Sequence, residues 1–187
     1  METTLFLLLA ATFATIGSLP IGYFGGDRRL NVRWWLMATP FFVAPVAVAV
    51  SFFGILPAWA PPAPLAKLLA AGASLAAIGS IGLIAYTAGS HRRAPALWHQ
   101  SDDAPAEIVT WGAYSRVRHP FYSAFLLAFS AAVLAAPTFV TIACLAWAGV
   151  GLSLTARQEE RRLLASRFGD AYGAYMARTG RFLPSRG

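Results

Sequence analysis

From Pro120 to Thr155 the chain carries no charged residue, and the triplet Ala135-Ala136-Pro137 falls in the middle of that run. A charge-free stretch of this length has few ways to fold. Each helical residue adds about 1.5 Å, so crossing a hydrocarbon core of about 30 Å takes about 20 apolar residues. Thr3–Gly26, Trp34–Ala66 and Leu68–Ser90 are also uncharged. The pattern predicts an all-α, polytopic integral membrane protein, a single domain over residues 1–187. Five transmembrane helices are expected at about residues 4–24, 34–57, 67–90, 120–136 and 137–157, the last two forming a tight helical hairpin. Pro40, Pro45 and Pro57 kink or end the second span, which neighbouring helices permit by covering the freed carbonyls.

Composition excludes a soluble domain. Charged residues make up 12% and hydrophobic residues 57%, against about 25% charged in soluble domains. The net charge of +7 invites a nucleic-acid reading, but the basic residues fall between apolar spans, where membrane topology accounts for them. Arg28, Arg29 and Arg33 follow span one, and Arg92, Arg93, Arg116 and Arg118 lie between spans three and four. Arg157, Arg161, Arg162, Arg167, Arg178, Arg181 and Arg186 follow span five. An external N-terminus and a cytoplasmic C-terminus put every arginine inside and leave only Lys67 at the outer edge. The preference for arginine over lysine points to a GC-rich bacterial genome, hence to a bacterial inner (cytoplasmic) membrane. Cys144 is the only cysteine, so an internal disulfide or a cysteine-built metal site is excluded. Glu2 and the lack of a basic n-region make the first span a retained helix rather than a cleaved signal peptide.

Two polar segments remain, a cytoplasmic connector at 91–118 and a C-terminal helical segment at 158–187. His119 and Thr155 lie at similar distances from Ala136. A helical hairpin therefore returns Glu159 and Glu160 to the depth at which Arg118 and His119 enter. Pro120 suits a first helical turn, where its missing N–H costs nothing, and the neighbouring amides then favour an anion. Arg118 adds a planar fork of donors for a carboxylate or phosphate. His119 is a further donor, with Tyr122 one turn inward. Glu159 and Glu160 supply acceptors for ribose hydroxyls or an ammonium. S-adenosyl-L-methionine has a carboxylate, an ammonium, a ribose and a sulfonium suited to aromatic rings and carboxylates.

Other residues have plainer readings. Arg116 reads as a topology anchor, and His91 and His99 as loop residues. Gly79-Ser80-Ile81-Gly82 reads as a small-residue packing face. Leu164, Phe168, Tyr172 and Tyr175 recur on one helical face, suited to the interface or to the hairpin mouth.

The order of these features resembles the isoprenylcysteine carboxyl methyltransferase family and the wider membrane methyltransferase group that includes phospholipid N-methyltransferases. The resemblance rests on Gly112-Ala113-Tyr114, Arg118-His119-Pro120-Phe121-Tyr122, the hairpin with Pro137 at its turn, Glu159-Glu160, Leu164, Phe168-Gly169, Tyr172 and Tyr175, over residues 110 to 184. Ala124 stands where the family usually has glycine, and Ala136 where asparagine is common. The resemblance implies an enzyme that binds S-adenosyl-L-methionine through Tyr114, Arg118, His119, Pro120, Tyr122, Glu159 and Glu160. Arg118, His119 and Glu159 are its candidate catalytic residues, and no metal is involved. The implied partner is a lipophilic acceptor or lipid that gains a methyl on a carboxylate, amine or thiol and leaves S-adenosyl-L-homocysteine behind. Two rivals stand beside this reading. The C-terminal layout also resembles NADPH-dependent membrane sterol reductases, although Ala171 replaces their tryptophan, and a non-catalytic membrane scaffold would keep the same architecture.

Overall fold

The computed structural model describes residues 1–19, 32–91 and 108–185. Residues 20–24 of the first expected span, Arg28, Arg29, most of the connector (with Arg92, Arg93, Pro95, His99 and Pro105), Arg186 and the side chain of Arg33 lie outside them. Among the described residues the regular elements are all helical: α1 (Thr3–Gly17), α2 (Val32–Phe52), α3 (Ala63–Gly89), a 3-10 turn (Gly112–Ser115), α4 (Pro120–Ala135), α5 (Phe139–Leu164) and α6 (Gly169–Arg178).

Three helices are long and apolar enough to cross a membrane: Trp34–Phe52, Ala63–Gly89 and Phe139–Leu164. This differs from the expected five. α1 and α4 are apolar but only 15 and 16 residues long, short of about 20. The second helix ends at Phe52 rather than Pro57, and the third begins at Ala63, ahead of Lys67, with Pro64 in its first turn. Pro40 and Pro45 both stay inside α2, and Pro40 is fully buried.

Alanine sets the closeness of the core. Ala73 and Ala77 of α3 and Ala124, Ala128, Ala131 and Ala132 of α4 have no exposed surface, and α3 packs most extensively on α4. Small side chains let backbones approach where lipid offers no hydrophobic drive to helix association. The buried Ser80 hydroxyl donates to Ala124 O at 2.8 Å. Of the small-residue face expected at 79–82, Gly79 faces Leu127 while Gly82 faces open space. Phe129 fills the centre, edge-on to Phe13 and Phe41.

The α4–α5 hairpin forms as the charge-free run predicts. Its turn is fixed by a reciprocal cap at the start of α5: Thr138 Oγ1 accepts from Thr141 N, and Thr138 N donates to Thr141 Oγ1, each at 3.1 Å. Thr141 Oγ1 also donates to Ala136 O at 2.7 Å. The uncharged part of α5 ends at Ala156, and its last turns carry Arg157 to Arg162 beyond that point. The face expected to run from Leu164 to Tyr175 is not continuous. The helix stops at Leu164, where Ser166 turns its hydroxyl onto Leu163 O and accepts from Phe168 N. That local bonding competes with the helical ladder. Tyr172 and Tyr175 lie buried on α6, while Leu164 is 44% exposed.

Candidate functional site

Hairpin geometry brings the two glutamates back to the start of α4. Glu160 is 3% exposed and is surrounded by cationic donors. Arg118 Nε reaches Glu160 Oε1 at 2.9 Å, and Arg181 Nη2 reaches Oε2 at 2.5 Å while its Nε spans both oxygens at 3.1 and 3.2 Å. His119 Nε2 lies 3.3 Å from Oε1. Burial opposes ionisation of Glu160. The hydrogen bonds from His119, Arg181 and Arg118 and the charge of Arg118 outweigh it and hold the carboxyl well below its ordinary value of 4.5.

Glu159 sits differently. Its side chain is 18% exposed. Tyr122 Oη donates to Glu159 Oε1 at 2.7 Å, and His119 Nδ1 lies 3.4 Å from Oε2. His119 thus bridges the two carboxylates, one ring nitrogen to each. Its ring stacks on Tyr122 with centroids 5.3 Å apart and planes within 4°. Pro120 is buried as the first residue of α4, as its missing donor permits.

The residues after α6 close this cluster. Gly180 forms a parallel bridge with Val117, and the amides of Arg118 and His119 donate to Gly180 O (2.8 Å) and Arg181 O (3.1 Å). Arg118 Nη1 donates to the carbonyls of Met176 and Thr179. Ser123 Oγ donates to Phe182 O at 2.7 Å, and the Phe182 ring meets His119 and Tyr122 edge-on. A Cβ at Gly180 would collide with Leu183 O, so only glycine fits this return of the chain. The strap thus takes up the amides of Arg118 and His119, which hold its backbone carbonyls.

Tyr114 reaches the cluster from the 3-10 turn. Its hydroxyl is 2.9 Å from His91 Nε2, and its carbonyl accepts from Tyr175 Oη at 2.7 Å. Burial, then the neighbouring Tyr175 and the charge of Glu159, push the Tyr114 phenol far above its ordinary range, while burial raises Tyr175 to about 12. The turn is seated by Gly112, whose φ of +60° suits glycine and whose missing Cβ makes room for Ser90. Ser90 Oγ accepts from Ala113 N at 3.1 Å.

All seven expected positions, Tyr114, Arg118, His119, Pro120, Tyr122, Glu159 and Glu160, therefore gather at one end of the hairpin. No protein-family model, curated protein or solved structure matches this chain. The site stands on its own geometry.

Sequence reasoning missed three members. Arg181 and Phe182 arrive on an irregular strap whose pairing runs through backbone atoms, and such pairing leaves no periodic trace. His91 read as a loop residue, yet it pairs with Tyr114 and stacks on Phe121. Its place at the end of an apolar span, mirroring His119 at the start of another, was the available signal. Among the described residues no group of three or more His, Cys, Asp or Glu side chains could hold a metal ion.

Proposed function

We propose that the chain is an S-adenosyl-L-methionine-dependent membrane methyltransferase acting on a lipophilic acceptor at the cytoplasmic face. The observation that carries this reading is the seating of Glu159 against Tyr122 and His119 at the end of an apolar hairpin. The donor set fits the cofactor. An ionised carboxylate beside stacked aromatic rings suits a sulfonium or an ammonium, and the same carboxylate accepts from ribose hydroxyls. The cofactor supplies a methyl group on a sulfonium, ready for in-line displacement.

The two glutamates divide the work. Glu159 is the ligand-facing carboxylate, because Glu160 is already saturated by Arg118, Arg181 and His119. Arg118 and Glu160 are then positioning residues that lock the strap behind His119. A carboxylate acceptor needs no general base. For an amine acceptor, Glu159 is the group placed to take the proton, because both ring nitrogens of His119 already face carboxylates. The run of arginines after α5 supports a cytoplasmic position for that segment, and for the site with it, by the positive-inside rule. In a bacterium that membrane is the inner one.

A non-catalytic scaffold is favoured by one observation, the saturation of Glu160 by Arg118, Arg181 and His119. Thermal unfolding of the purified protein separates the readings. S-adenosyl-L-methionine or S-adenosyl-L-homocysteine at about one hundred times Kd is expected to add about 2.7 kcal/mol to stability. His119→Ala and Glu159→Gln are expected to abolish that gain while keeping the fold. Stabilisation by NADPH alone would replace this reading with a reductase, and no stabilisation by any of the three would favour the scaffold.

A further inference from the structure

The outward side of α5 carries a feature that the site does not use. Trp147, Val150 and Leu154 are exposed, Val150 by 62%. At spacings of three and four residues the same side continues into Arg157, Arg161 and Leu164, all exposed. Positions 157 and 161 lie one turn apart, about 6 Å along the axis, so their guanidinium groups share one surface. Among the described residues neither joins a salt bridge. The acidic residues on the same turns are committed elsewhere, Glu159 to Tyr122 and His119 and Glu160 to Arg118, Arg181 and His119. Among the described residues the pair is thus an uncompensated double positive charge in line with an apolar stripe.

Helix length fixes its depth. The charge-free part of α5, Phe139 to Ala156, rises about 27 Å, and α4 with its 16 residues about 24 Å. Both fall short of a hydrocarbon core of about 30 Å. The hairpin therefore holds Arg157 at the level where acyl chains meet headgroups, and a short span draws the bilayer surface toward it. A guanidinium there needs an anion, and phosphate matches its planar fork.

We propose that Arg157 and Arg161 together bind the headgroup of an anionic phospholipid, whose acyl chains lie along Val150 and Leu154. The lipid is a structural partner on the face of α5 turned away from Glu159, so the inference does not depend on the methyltransferase reading.

The test is thermal unfolding in a mild non-ionic detergent with added phosphatidylglycerol or phosphatidylcholine. In the unaltered protein phosphatidylglycerol is expected to raise the midpoint several degrees more than phosphatidylcholine does. Arg157→Gln/Arg161→Gln should remove that difference and leave the lipid-free midpoint unchanged. Arg157→Lys/Arg161→Lys, which keeps both charges, should retain most of it. The proposal is overturned if the unaltered protein shows no preference for the anionic lipid. It is equally overturned if the glutamine pair keeps the preference, or if the lysine pair loses it completely. Stabilisation by S-adenosyl-L-methionine, read in the same samples, should be unaffected by either pair.

Discussion

Adjacent positions on a helix point about 100° apart, and at Glu159 and Glu160 that angle separates two environments. Glu160 anchors Arg118, which is itself 9% exposed, and receives Arg181 from the strap. Removing one partner of a buried ion pair strands the other, at about 3–5 kcal/mol. Glu160→Ala is therefore expected to lower stability by about that amount, measured by chemical denaturation in detergent. Glu159→Gln keeps an acceptor for Tyr122 and is expected to cost about 1 kcal/mol or less while removing ligand binding. Equal losses of stability in the two variants would contradict this division. Acid offers a second reading of Glu160. Its carboxyl titrates lower in the folded protein than in the unfolded chain, so the unfolded chain binds the extra proton as pH falls. The stability it contributes is fully present above about pH 4.5 and is lost below that, toward the folded value. The acid decline of the unfolding midpoint should be shallower in Glu160→Gln than in the unaltered protein.

At the scale of elements, the α4–α5 hairpin was legible because its signal is local. An uncharged run with Pro137 at its centre allows little else, and the return of Glu159 and Glu160 to His119 follows from arm length. The strap at 179–185 was not legible. It holds the start of α4 through the carbonyls of Gly180 and Arg181, and a backbone carbonyl carries no mark of residue type. The break after Leu164 was hidden for a different reason: Leu164, Phe168, Tyr172 and Tyr175 keep helical spacing across a turn that Ser166 imposes. The capping pair at the start of α5 is a further local device, and its contribution can be measured. Thr138→Ala removes the acceptor for Thr141 N and is expected to destabilise the protein by about 1 kcal/mol. Thr138→Ser keeps the oxygen and should restore most of that. Failure of serine to rescue would mean that the threonine methyl, rather than the cap, holds the turn.

For the whole molecule, uneven helix length is the property with the widest consequence. α3 has 27 residues, about 40 Å of rise, while α4, on which it packs most extensively, has 16. No single bilayer thickness suits both. A long helix accommodates a thin membrane by tilting or by extending past its surface, at modest cost. A short helix in a thick membrane has no such recourse, because its terminal charges are pulled toward hydrocarbon. Here those charges are the site itself: Arg118 and His119 open α4, and Glu159 and Glu160 lie past the apolar part of α5. With α4 and α5 both crossing as proposed, thickening the bilayer loads the ion-pair cluster, whereas thinning it relieves the hairpin. Reconstituted into bilayers of dimyristoyl and of dieicosenoyl phosphatidylcholine, both fluid at the temperature used, the protein is expected to unfold at a higher midpoint in the thinner one. Binding of S-adenosyl-L-homocysteine should also be tighter there, since the residues proposed to hold it sit at the strained end of the hairpin. Glu160→Gln weakens the cluster and should widen the difference between the two bilayers. Equal midpoints in thin and thick membranes would show that α4 and α5 do not set the depth of the protein.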